Sequence, residues 1–220
     1  MAIGISTSMQ SGADAACLAG NGITFVFRYY SATTSIPTKR LTFAEAQNLA
    51  KANIQIGVVY EDGPTSVIYF TNGRGVQDGG RAWQFAQQIG QPAGSAIYFA
   101  VDYDASAADL AAIASYFQGV QSGLDTASGG VSSYSIGVYG SGLVCQTIKQ
   151  GQNLAKYSWM AESSAWQGTA TYGGWDVMQA PGTSPLCSFA GPTSGQEADY
   201  EECQSAGDFG GFTVSIASVE

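Results

Sequence analysis

The chain has 220 residues, a net charge of −9, and 45% hydrophobic against 11% charged residues, which is enough apolar material for one sizeable core and rules out a disordered chain. Its eight Lys and Arg are scattered, which excludes a phosphate-binding surface for nucleic acid, and no apolar run approaches the roughly 18 residues a membrane span requires. Histidine is absent, so Ser-His-Asp and Cys-His catalysis and His-based zinc sites are excluded, and acid–base chemistry falls to Asp, Glu, Tyr, Lys or Cys.

Strand-like and helix-like segments alternate along the chain. "AIGIS" (2–6) is a short apolar strand, and 13–21 reads as a helix stopped by glycine. "ITFVFRYYS" (23–31) is β-branched and aromatic, a buried strand. A helix follows over 41–53, with Thr42 and Glu45 spaced as a capping box. The series continues with a strand at 54–62, a helix at 79–90, a strand at 95–104 and a helix at 106–124. Segments 134–141, 143–152, 157–163, 174–180 and 197–202 complete it, and 181–195 is a Pro/Gly/Ser loop. About eight strands separated by helices predict a parallel sheet buried on both faces. The expected fold class is α/β, a compact (β/α)8 TIM-type barrel forming a single domain over 1–220, with some later helices short or missing.

The chemistry of such a barrel sits at the C-terminal ends of its strands. Here those ends carry Ser6; Arg28, Tyr29 and Tyr30; Tyr60 and Glu61; Asp102 and Asp104; Tyr139; Glu162; Gln179; and Asp199. Asp102 and Asp104, two apart on a strand, are expected on one face, with Glu61 on the neighbouring strand. Crowded carboxylates cannot all ionise, so one is raised. That separates an acid from a base, as glycoside cleavage requires. Rim aromatics, among them Tyr29, Tyr139, Trp159, Trp166 and Trp175, could stack on sugar rings. Each residue alone has a plainer reading: "DxD" marks many turns and caps, Arg28 can pair with a carboxylate, and strand aromatics are mostly core. The joint pattern carries the functional reading.

No pair of the four cysteines, Cys17, Cys145, Cys187 and Cys203, has C-x-x-C spacing, which argues against zinc or thioredoxin-like chemistry. Three pairings are open, with Cys187–Cys203 the shortest loop to close, and free buried thiols are the alternative. No metal site and no cofactor are expected. No signal peptide is visible after Met1.

The segments "TFVFRYYS", "LTFAEAQNLAKANIQIGVVYE", "AIYFAVDYDAS" and "YSIGVYGSGLVC" together resemble the glycoside hydrolase-like domain of the DUF1906 (Rv2525c-like) family, which is related to the family 25 lysozymes. The resemblance covers nearly the whole chain and is most specific in strands 2 to 5. It implies a (β/α) barrel, a cell-wall or other polysaccharide substrate, and secretion or association with the wall. The family's acidic rim residues map onto Glu61, Asp102 and Asp104, and its strand 8 aspartate onto Asp199. The first strand departs: relatives read Gly-hydrophobic-Asp where this chain has "GIS", placing Ser6 at the aspartate.

The expected activity is hydrolysis of a cell-wall glycan, most simply peptidoglycan, by a monomer. Glu61 or Asp104 would protonate the leaving oxygen, and Asp102 would stabilise the oxocarbenium ion or orient an N-acetyl group. Ser6, Arg28, Tyr30, Tyr60, Tyr139, Glu162, Trp166, Gln179 and Asp199 would contact substrate. The alternatives are a non-catalytic glycan-binding module on a degenerate barrel, motivated by Ser6, and a secreted antibacterial effector.

Overall fold

The computed structural model describes residues 1–216; residues 217–220 of the expected domain lie outside them. Eight strands close a barrel in chain order: β1 Ala2–Ser6, β2 Phe25–Tyr30, β3 Gln55–Tyr60, β4 Ala96–Ala100, β5 Ser135–Gly140, β6 Tyr157–Met160, β7 Val177–Pro181 and β8 Glu201–Ser205. Strands β1 to β7 run parallel, but β8 is antiparallel to both β7 and β1. This departs from an all-parallel barrel, and its physical cause is local. Among the described residues no helix separates β6, β7 and β8, and the return segment after β7 brings the chain back from the rim to which β7 has just delivered it.

The helices are α1 Ala15–Gly20, α2 Phe43–Lys51, α3 Asn72–Ile89, α4 Leu110–Ser128 and the single turn α5 Gly142–Cys145. Helix α3 starts seven residues before the sequence-based limit. "NGRGVQDGG" (72–80) is rich in a residue that weakens isolated helices, yet it is helical because α4 packs onto it. A Cβ at Gly75 or Gly79 would lie 2.1 or 2.3 Å from the Tyr116 or Val120 carbonyl oxygen, and one at Gly119 would lie 2.2 Å from that of Asn72. The two backbones touch. Thr71 caps α3 by accepting from the Arg74 N–H at 3.1 Å. Thr42 likewise caps α2, but Glu45 does not complete the box, because its carboxylate is buried against Arg28 at 2.8 Å.

Strand residues alternate strictly between the barrel interior and the layer under the helices. Phe25, Phe27, Val59, Tyr98, Tyr157, Trp159, Val177 and Cys203 fill the interior, and Phe209 joins them from beyond β8. Three glycines make room. A Cβ at Gly4, Gly57 or Gly137 would come within about 2.5 Å of the Phe25, Phe27 or Tyr98 ring. At the N-terminal end the Phe209 carbonyl accepts from the Tyr98 hydroxyl at 2.8 Å, and Phe212 pairs with Ile56. The interior is thus packed from below, and a cavity lies at the C-terminal ends of the parallel strands.

Cys17 and Cys187 form a disulfide between α1 and the segment leading into β8, while Cys145 and Cys203 are buried free thiols. The shortest loop, Cys187–Cys203, is not the one closed, because Cys203 points into the barrel.

Candidate active site

The inward parity that places Phe27, Val59 and Ala100 in the interior places Tyr29, Glu61 and Asp102 one step higher, at the mouth. There they line a cavity of about 160 Å³ with Val59, Tyr139, Trp159, Gln179 and Glu201. Three carboxylates and two tyrosines thus converge, drawn from five strands or the residues just past them.

Asp102 is mostly buried. Burial, and after it the Glu61 carboxylate, push its pKa up to about 6, with Lys39 pulling the other way. Glu61 differs from it in having a cation partner: Lys39 Nζ lies 2.5 Å from Oε1 and also sits 4.5 Å from the Tyr29 ring centre. Two neighbouring carboxyls therefore occupy opposite environments, one desolvated and one ion-paired. The Tyr29 and Tyr139 hydroxyls are raised well above their ordinary value, chiefly by burial and then by the carboxylates, and remain protonated donors.

Ser6 stands across from Glu201 in the β1–β8 register and donates to its Oε2 at 2.7 Å. Gln179 Nε2 donates to Ser6 at 3.3 Å, and Tyr139 donates to Gln179 Oε1 at 3.0 Å. This one-way chain of donors ends on Glu201. Burial raises Glu201, the Ser6 hydroxyl opposes that, and Glu162 and Glu197 add to it. Trp159 Nε1 is buried with no partner among the described residues.

Of the residues expected here, Ser6, Glu61, Asp102, Tyr139 and Gln179 meet at this cavity or in its hydrogen bonds. Others lie elsewhere. Arg28 faces outward, fully buried, and binds Glu45 and the Thr7 and Thr38 carbonyls. Tyr30 donates to Gln91 and Tyr60 to Asp62, both behind the barrel wall. These three have outward parity on their strands, so they cannot reach the cavity. Asp104 is exposed and accepts the Gln167 N–H at 2.8 Å. The i, i+2 argument fails for it because β4 ends at Ala100 and 102–104 is irregular, with a bend at Tyr103. Trp166 is half-buried in the loop that Asp104 helps to hold. Asp199 precedes β8 and accepts the Ala190 N–H at 2.8 Å. Glu162 lines a second chamber of about 190 Å³ with Glu197, Gln196, Tyr200 and Glu201, so that Glu201 is a wall common to both.

Glu201 and Lys39 escaped the sequence reading. Glu201 sits at the N-terminal end of an antiparallel strand, where a search of C-terminal ends does not look. Its signal was the i, i+2 spacing to the interior Cys203. Lys39 lies in a short turn, Pro37–Lys39, and carries no local signal. Among the described residues no group of Asp, Glu or Cys is arranged to hold a metal ion, and no helix is long and apolar enough to cross a membrane.

The model of the Rv2525c-like, glycoside hydrolase-like domain matches residues 16–199. Uncharacterized protein YbfG of Bacillus subtilis is 32% identical over 156 residues, which is 67% of this chain but 21% of YbfG, so the chain spans about a fifth of that relative. The Tat-secreted protein Rv2525c of Mycobacterium tuberculosis, solved with L-tartrate, superposes with a TM-score of 0.74 at 18% identity, covering 96% of this chain and 98% of that one. A family 25 glycosyl hydrolase from Bacillus anthracis follows at 0.59 and 13% identity, with 96% and 94% covered. The last two likenesses concern the fold alone. With five-sixths of its length matched by the family model, the chain belongs to the Rv2525c-like glycoside hydrolase-like family.

Proposed function

We propose that this chain is a glycoside hydrolase that cleaves a cell-wall glycan, peptidoglycan in the manner of a muramidase, at the mouth of the barrel. The observation that carries the reading is the pair Asp102 and Glu61. Asp102 is desolvated and holds a proton up to about pH 6, whereas Glu61 is paired with Lys39. Asp102 is the general acid that protonates the leaving oxygen. Glu61 is the carboxylate that meets the developing positive charge, as nucleophile or as base toward water. This exchanges the roles the sequence suggested for the two residues and leaves Asp104 as a loop anchor. Tyr29, Tyr139 and Glu201 bind the sugar. The family match and the related folds of family 25 hydrolases support the substrate class.

The disulfide Cys17–Cys187 supports an oxidising location, outside the cell or at the wall, as does the Tat-secreted neighbour. We take the chain to act as a monomer. A second reading, binding without cleavage, is favoured by Ser6, a hydroxyl where the family resemblance implies a carboxylate.

The test is release of reducing ends from purified peptidoglycan by the wild type, Glu61→Gln and Ser6→Asp. Turnover by the wild type that Glu61→Gln lowers at least a hundredfold supports the hydrolase. Saturable binding with no release, converted to turnover by Ser6→Asp, would replace it with the binding module.

A further inference from the structure

The second chamber has no role in the cleavage scheme. It opens beside the central cavity and shares Glu201 with it. Its lining includes three carboxylates, Glu162, Glu197 and Glu201, and no Lys or Arg. This extends to the whole C-terminal part of the chain: from Tyr157 to Glu220 there are eight acidic residues and no basic one. Three arginines and lysines that could neutralise carboxylates are committed elsewhere, Arg28 to Glu45, Lys39 to Glu61 and Lys149 to Asp176.

Two groups lack partners among the described residues, one at each cavity. Glu162 Oε2, in the second chamber, is buried without a hydrogen bond, and so is Nε1 of Trp159, which is 1% exposed and lines the central cavity. A buried carboxylate oxygen without a donor is costly, and the Trp159 N–H asks for an acceptor close by. Together they call for a ligand that offers donors with positive charge to one chamber and an oxygen to the other. Among the described residues no three of these acids converge tightly enough for a metal ion, so the missing cation is one that makes spread contacts.

We propose that the second chamber is a subsite for a sugar bearing a free amine, an unacylated 2-amino sugar unit, adjacent to the sugar held in the central cavity. The inference rests on the glycan reading above and deepens it. The ammonium donates to the carboxylates of Glu162, Glu197 and Glu201, whereas an N-acetyl group brings no charge and a carboxylate-bearing sugar is repelled. The preferred wall glycan is therefore one whose amines are partly deacylated. Burial raises both Glu162 and Glu201; after it, Glu197 raises Glu162, and Glu162 and Glu197 raise Glu201, and this second part is the mutual repulsion a bound cation relieves.

The experiment compares two tetramers of equal length, β-1,4-linked glucosamine and its fully N-acetylated counterpart, by calorimetric titration at pH 6. Reducing-end release is followed in parallel. The amine form should bind about tenfold or more tightly, the scale of one charge-assisted contact. Glu197→Gln, at an exposed position, should cut that preference severalfold, and so should Glu162→Gln. Glu202→Gln removes the same charge from the outward face of β8, where Glu202 accepts from Thr183, and should leave the preference intact. Equal or tighter binding of the acetylated tetramer overturns the subsite. So does a preference that falls equally in Glu202→Gln, which would trace it to net charge. Preference with no reducing-end release from purified peptidoglycan would sink the hydrolase and keep the subsite; release from peptidoglycan without preference would do the reverse.

Discussion

A carboxyl in a packed barrel mouth is held there at a cost, and Asp102 shows how large it is. Unfolded, the group titrates near 3.8; folded, near 6. The folded state holds the proton more tightly, so below about pH 4 the group costs nothing, and the penalty grows as pH rises through 6. Two pKa units correspond to about 3 kcal/mol. Asp102→Asn should therefore abolish cleavage yet stabilise the protein by about 1–3 kcal/mol at pH 8 and by almost nothing at pH 4. Paired thermal melts at the two pH values check this, and equal stabilisation at both would contradict it. Activity should fall above about pH 6, and Lys39→Met should move that limb upward, since Lys39 is the group that lowers Asp102. Much of this constellation was legible in sequence: Ser6, Glu61, Asp102, Tyr139 and Gln179 all lie on strands or just past them with inward parity. Arg28, Tyr30 and Tyr60 were misplaced because a rim list takes every residue at a strand end, whereas the pleat admits every second one.

At the scale of elements, the α3–α4 seam makes predictions of opposite sign from one substitution. Gly119→Ala would push a methyl to 2.2 Å from the Asn72 carbonyl oxygen. Neither backbone can yield alone, so the cost is about 1–3 kcal/mol despite alanine's better helix propensity. Gly80→Ala, in the same seam but meeting nothing nearer than 3.9 Å, should stabilise by about 0.5–1 kcal/mol. Urea denaturation of the two variants separates them; destabilisation by both would mean that the seam is tight along its whole length. The helix pattern of α4 was readable from its own apolar spacing. The first two turns of α3 were not, because their glycines favour helix only once a partner helix is present. The direction of β8 was hidden for a similar reason: strand propensity carries no sign, and only the missing helices after β6 hinted at a change in connection.

The whole molecule is a closed barrel with one covalent tie. Cys17–Cys187 spans 170 residues of chain and links α1 to the segment that delivers β8 and Glu201. Its reduction should cost roughly 2–4 kcal/mol, about 5–15 °C in Tm for a chain of this size, with turnover at low temperature kept. A Tm unchanged by reductant would show that the tie carries no stability. The fold and the family were legible because strands 2 to 5 carry both the barrel interior and the family's motifs. The tie was not, since four cysteines fix no pairing, and the second chamber was not, since its glutamates meet only when β8 turns back. The most direct measurement of the central claim is the pH profile of reducing-end release from peptidoglycan, from pH 4 to 8, for the wild type and Asp102→Asn. Turnover that declines above about pH 6 and vanishes in the variant is the predicted result. Release that persists in Asp102→Asn, with the same profile, would contradict it.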